Sequence, residues 1–195
     1  ASAGWGTPKS WTNVIHFGAT AATQPNTSDT VYIAAGHSVT SNSTAVCAAI
    51  FISAFEGVGN GVLSVTGGML TVGGDVIVGY DAMSQGTLNA TTGLPTIKVG
   101  GNFVLTAGAS TFNPGTFLTM QFSKIDGGQQ IAGAKYYKLR LDNTSGENIV
   151  VGDSISFSGD LYSPTGGTFN LGNSVLTFTG TNNAQGNIKT LSTST

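Results

Sequence analysis

The sequence predicts an all-β protein built as a single-domain β-solenoid, most directly a parallel β-helix, and three observations predict it. First, one phrase is written twice. Met69-Leu70-Thr71-Val72-Gly73-Gly74-Asp75-Val76-Ile77-Val78 returns as Thr96-Ile97-Lys98-Val99-Gly100-Gly101-Asn102-Phe103-Val104-Leu105, with the paired glycines, the short polar residue and three apolar residues in register. A repeat at that spacing marks stacked coils, because one coil cannot close a core and its neighbours must bury its apolar side chains. Second, charged residues make up 8% of the chain, against about 25% in ordinary globular domains, while 29 glycines stand among many Thr, Ser and Asn. The polar surface is therefore made of hydroxyls and amides. Third, no segment carries a clear amphipathic-helix period, and short alternating runs bounded by Gly, Asn and Asp recur throughout. An antiparallel β-sandwich is the alternative that such short strands also allow.

Taken in order, residues 1–28 hold both tryptophans, Trp5 and Trp11, and the turn-rich run Gln24-Pro25-Asn26-Thr27-Ser28, and read as an N-terminal flap over the first coil. A stack of coils needs such a cover, since its end leaves backbone and core without neighbours. The coils themselves span 29–180. Thr30-Val31-Tyr32-Ile33 alternates toward a turn at Ala34-Ala35-Gly36-His37, and Ser38-Val39-Thr40 follows. Ala45 to Ile52 is short enough for a buried helix, but its β-branched residues favour one buried strand. Each copy of the repeated phrase reads as strand, Gly-Gly corner, strand, with the glycines supplying backbone angles closed to other residues. The register of the copies places Asp75 near Asn102 and Val72 over Val99, one coil apart. Gly86-Thr87-Leu88-Asn89 is echoed by Ser110-Thr111-Phe112-Asn113 and by Gly167-Thr168-Phe169-Asn170. The echoes are unevenly spaced, so the coils differ in length, at roughly 20 to 28 residues each. Gln129 to Leu141 reads as a turn and then a strand with Tyr137, Leu139 and Leu141 inward and Tyr136, Lys138 and Arg140 outward. Residues 181–195 form a polar tail whose apolar members are Ile188 and Leu191; it either frays or pairs with something.

Composition also excludes partners. Seven Lys plus Arg against nine Asp plus Glu give a net charge of −2, so there is no field to draw in nucleic acid or anionic lipid. The longest apolar candidate, Ala45 to Phe55, falls short of the roughly 20 residues that span a bilayer, and no membrane insertion is expected. A start at Ala1-Ser2-Ala3 suits a processed, exported protein. The single Cys47 excludes an intrachain disulfide and reads as a buried, inert thiol.

Most carboxylates stand beside Gly, Asn or Ser, where acidic side chains form turns. Asp75, Asp153 and Asp160 are the set that would have to share a face in a polysaccharide-acting enzyme; catalysis is not expected. His16 and His37 lack the neighbouring acidic or cysteine spacing of a zinc centre, so neither a metal nor a cofactor is expected. The outward stripe of Tyr136, Lys138 and Arg140 is the surface feature with most character. Aromatic and basic side chains together can stack on and hydrogen-bond a sugar or a partner protein. The plainer role for such charges is to guard a strand edge against unwanted pairing.

The runs Ser28-Asp29-Thr30-Val31-Tyr32-Ile33-Ala34-Ala35-Gly36-His37-Ser38-Val39, Gly73-Gly74-Asp75-Val76-Ile77-Val78, and Thr111-Phe112-Asn113-Pro114-Gly115 onward to Tyr137-Lys138-Leu139-Arg140-Leu141-Asp142-Asn143 carry a further signal. In them the chain resembles a family of secreted bacterial surface proteins, common in the Bacteroidetes, whose long adhesin-like chains contain parallel β-helix repeats. The resemblance implies a location outside the cell or on its surface and a structural or adhesin-type role without catalysis. Stacked coils make a stiff rod, and open ends can join rods by strand addition, which makes a fibre-forming subunit the leading expectation. Trp5 and Trp11 in the flap and Ile188 and Leu191 in the tail are the expected joining residues, and copies of the chain, other surface proteins or glycans are the expected partners. The competing expectation is a carbohydrate-binding module with contacts at Tyr136, Lys138 and Arg140, or, behind it, a polysaccharide-acting β-helix enzyme.

Overall fold

A computed structural model describes residues 2–4, 24–53, 58–143, 147–163, 168–179, 184–186 and 189–191. Within these the chain is all-β, without a helix, and winds as a parallel β-solenoid. A short strand, β1 (Ser2–Gly4), precedes the windings. The first winding is β2 (Thr30–Ile33), β3 (Ser38–Ser41) and β4 (Ala45–Cys47), and the second is β5 (Ala49–Ile52), β6 (Gly59–Val65) and β7 (Met69–Val72). The third is β8 (Val76–Val78), β9 (Ser84–Asn89) and β10 (Thr96–Val99), and the fourth is β11 (Phe103–Leu105), β12 (Ser110–Asn113) and β13 (Thr119–Phe122). Two longer strands come next: β14 (Gln129–Tyr136) is followed by β15 (Lys138–Leu141), and β16 (Glu147–Phe157) by β17 (Leu161–Ser163). The described chain closes with β18 (Thr168–Asn170), β19 (Leu176–Phe178), β20 (Ala184–Gly186) and β21 (Lys189–Leu191).

Corresponding strands pair in parallel from winding to winding and build three faces. One is nine-stranded and runs β2-β5-β8-β11-β14-β16-β18-β21, with β19 attached to β16; one is seven-stranded, from β4 to β20; one is five-stranded, β1-β3-β6-β9-β12. This is the solenoid expected from the repeated phrase, and its register is the expected one: Thr96, Ile97, Lys98 and Val99 lie on Met69, Leu70, Thr71 and Val72. Inward side chains stack into columns such as Cys47, Val72, Val99, Phe122 and Leu141, all buried. Burying each large member contributes about 1.5–3 kcal/mol, and only a neighbouring winding can do it.

The corners explain where simple alternation fails. Ala45 to Ile52, expected as one strand, is two: Ala48 forms a corner between β4 and β5, and its amide donates to the Asp29 carbonyl at 2.8 Å. Ala45 and Cys47 face inward before the corner, Ile50 and Ile52 after it, so the turn of the backbone resets the parity of the strand. The paired glycines are also corner residues, but for a different reason from the one their conformational freedom suggests. Gly73, Gly74, Gly100 and Gly101 do not lie in the left-handed region. Successive windings approach so closely there that a Cβ on Gly101 would sit 2.7 Å from the Asp75 amide nitrogen. Asp75 Oδ1 accepts the Asn102 amide at 2.6 Å and Asn102 Oδ1 accepts the Gln130 amide at 2.9 Å, so side chains carry the ladder across this corner.

The echo of Gly86–Asn89 at Ser110–Asn113 is a true stacking register. The third copy is not, since β18 pairs with the beginning of β16 on the nine-stranded face. Residues expected as a polar tail supply β20, paired with β17, and β21, paired with β18. Of the expected flap, Ser2–Gly4 form β1 in parallel register on β3, while Trp5 and Trp11 lie outside the described residues.

Candidate functional site

The outer surface of the seven-stranded face carries Lys138 and Arg140, the basic residues of the stripe that the sequence singled out. Register places Lys98, Gln121, Arg140 and Tyr162 in one outward column, a winding apart from each other, with Thr119 and Lys138 in the column beside it. Arg140 Nε donates to both oxygens of Asp142, at 2.8 and 2.7 Å. Asp142 stands two residues on along the same chain, where an extended backbone returns a side chain to the same side. The Gln121 amide also donates to Asp142, so one carboxylate fixes neighbours on two windings. The Arg140 guanidinium lies over the Tyr162 ring, 5.3 Å from its centroid. Lys138 pairs with Asp160 at 3.1 Å and lies 5.7 Å from the Tyr137 ring centroid. Between these groups is a groove of about 290 Å³ lined by Thr119, Lys138, Leu139, Arg140, Asp160 and Tyr162.

The ion pairs are worth little as stability. The Lys138 and Asp160 side chains are 40% and 41% exposed, and a pair that open to water contributes less than about 1 kcal/mol. Their effect is on position: Lys138, Asp160 and, through its pair with Asp142, Arg140 are held at fixed places along the groove.

Tyr136 does not belong to this surface. It was expected outward beside Lys138 and Arg140, but it is 0% exposed, its hydroxyl donates to the Ala132 carbonyl at 2.6 Å, and its ring packs 5.4 Å from Phe112 and 6.2 Å from Phe157. The cause is again a corner. β14 ends at Tyr136 and β15 begins at Lys138, so alternation restarts across Tyr137. The exposed aromatic of the site is instead Tyr162, which sequence reasoning missed although Ser158-Gly159-Asp160-Leu161 repeats in the sequence the Gly-Asp corner of Gly74-Asp75-Val76. Counting outward positions from that corner would have found it.

The remaining candidates disperse. Asp75 stands at the corner between the seven- and nine-stranded faces, and Asp160 at the corner leading into β17. They do not share a face, and the Asp153 side chain lies outside the described residues. His37 Nδ1 is 3.1 Å from the Ala35 carbonyl oxygen, and His16 is outside the described residues. Among the described residues no group of three or more His, Cys, Asp or Glu could hold a metal ion. Cys47 is buried, and desolvation first and the Asp29 carboxylate second push its thiol up to about 12. Ile188 is outside the described residues; Leu191 is described only in its backbone, which pairs with Asn170.

A second groove, of about 350 Å³, lies on the nine-stranded face beside Tyr32, Phe51, Ile77, Tyr80 and Thr106. The Tyr32 and Phe51 rings stack across adjacent windings with centroids 5.1 Å apart. No sequence signal beyond the alternation of their strands marked it. No protein-family model, no curated protein and no solved structure matches this chain.

Proposed function

We propose that this chain is an extracellular structural module of the adhesin type, a non-catalytic subunit of a bacterial surface that joins copies of itself end to end by strand addition. The observation that carries this reading is the parallel stack with strands outermost at both ends. Among the described residues β2 and β4 have a strand on one side only, as do β20 and β21 at the opposite end. Such edges present N–H and C=O groups at the spacing that another strand requires. β1, added in register to β3, supports the reading that this end accepts an extra strand. The low charge is consistent with close approach of rods, and the resemblance to Bacteroidetes-type surface proteins fits the same location. The test is negative-stain microscopy of the purified chain beside a form lacking residues 187–195, which removes β21. Fibres from the first and single rods from the second are expected. Undiminished assembly by the shortened form would remove the mechanism.

A second reading, a carbohydrate-binding module, is favoured by the groove between Lys138, Arg140, Asp160 and Tyr162. A glycan array read with Arg140→Ala and Tyr162→Ala separates it from a purely structural role. Release of shortened products would instead point to a polysaccharide-acting enzyme.

A further inference from the structure

We infer, resting on the second reading above, that the groove beside Arg140 and Tyr162 takes a neutral sugar ring in preference to an acidic one. The charge balance decides the class. Lys138 faces Asp160 at 3.1 Å and Arg140 faces Asp142 at 2.7 Å, so each cation on the groove already has its carboxylate. A uronate or sulfate entering there would lie against the Asp160 carboxylate or have to displace Asp142 or Asp160 from its cation. Lys98, the next cation in the column, stands beyond Gln121 and does not line the groove.

The hydrogen-bonding groups point the same way. Along one short groove stand donors, the Arg140 guanidinium and the Lys138 ammonium, and acceptors, the Asp160 carboxylate and the Thr119 hydroxyl. A sugar hydroxyl both donates and accepts, so a ring bearing several of them can pair with either kind. Tyr162, 37% exposed, adds aromatic surface for the apolar C–H face of the ring. Arg140 is fixed before any ligand arrives, because Asp142 is held by both Arg140 and Gln121 and the guanidinium rests on Tyr162. A groove of about 290 Å³ is at the small end of ligand sites and suits one or two rings.

The test titrates the full chain with neutral gluco-, manno- and galacto-oligosaccharides and with uronate-containing and sulfated ones, at low and high salt. Saturable binding of a neutral class, little changed by salt, is expected. Tyr162→Ala and Arg140→Lys should each weaken it at least about tenfold, with circular dichroism verifying that the fold persists, while Tyr32→Ala on the other groove leaves it unchanged. Loss with Tyr32→Ala and not with Tyr162→Ala would overturn the location. Binding confined to acidic oligosaccharides and fading with salt would overturn the neutral class yet leave the carbohydrate reading standing. No saturable binding of any class would overturn both.

Discussion

At Gly101 the absence of a side chain lets one winding rest on another, and Gly101→Ala is expected to destabilise by about 1–3 kcal/mol, as overpacking does. Gly127 is the contrast: it has open space around it but a φ of +69°, so Gly127→Ala tests backbone strain alone, at about 1 kcal/mol. Urea midpoints of the two variants separate the mechanisms. Among the described residues Ser53 is the non-glycine residue of positive φ, and its buried hydroxyl accepts the Gly61 amide at 2.9 Å while donating to the Gln85 carbonyl. Ser53→Ala leaves a buried donor unsatisfied and should cost about 1–3 kcal/mol in the same assay. Cys47 gives a pH dependence. Its thiol is raised from about 9 to about 12 in the folded chain, so the associated stability is full below pH 9 and is lost as pH rises toward 12. Denaturant titrations across that window should show a slope that Cys47→Val lacks, and alkylation of Cys47 should be slow until the chain unfolds. Gly101 and Cys47 stood out in the sequence, but the reason for the Gly-Gly pair did not. Close approach between windings is a property of the stack, invisible in a single copy of the phrase.

For strands, the repeated phrase made β7, β8, β10 and β11 legible because two copies of one pattern fix a register without knowledge of the rest. Strands that run up to a corner were not legible, and Tyr136 shows why. Its alternation with Lys138 and Arg140 is perfect in the sequence, yet the intervening corner moves it to the inside. Tyr136→Ala is therefore expected to unfold or destabilise the chain by about 3–5 kcal/mol. Tyr136→Phe, which loses only the hydrogen bond to Ala132, should cost about 1 kcal/mol. Thermal melts distinguish this from a surface role, in which neither change would matter. At the candidate site the sequence supplied Lys138 and Arg140 but not Tyr162, which only pairing across windings sets against Arg140, nor the bond by which Gln121 of the neighbouring winding holds Asp142.

On the scale of the whole molecule, backbone hydrogen bonds between windings run along the length of the stack. β1 is outermost on one face at one end, and β21 is outermost on another face at the opposite end. A tether fixed at these two strands would therefore load those bonds in series, shedding windings singly from an end rather than shearing a sheet at once. One winding, as from Asp75 to Asn102 across 27 positions, would pay out about 90 Å of extended chain. Optical-trap traces should show a staircase of such lengthenings at low force. A solenoid of this kind would yield under tension and rewind when slack, keeping hold where a brittle link would snap.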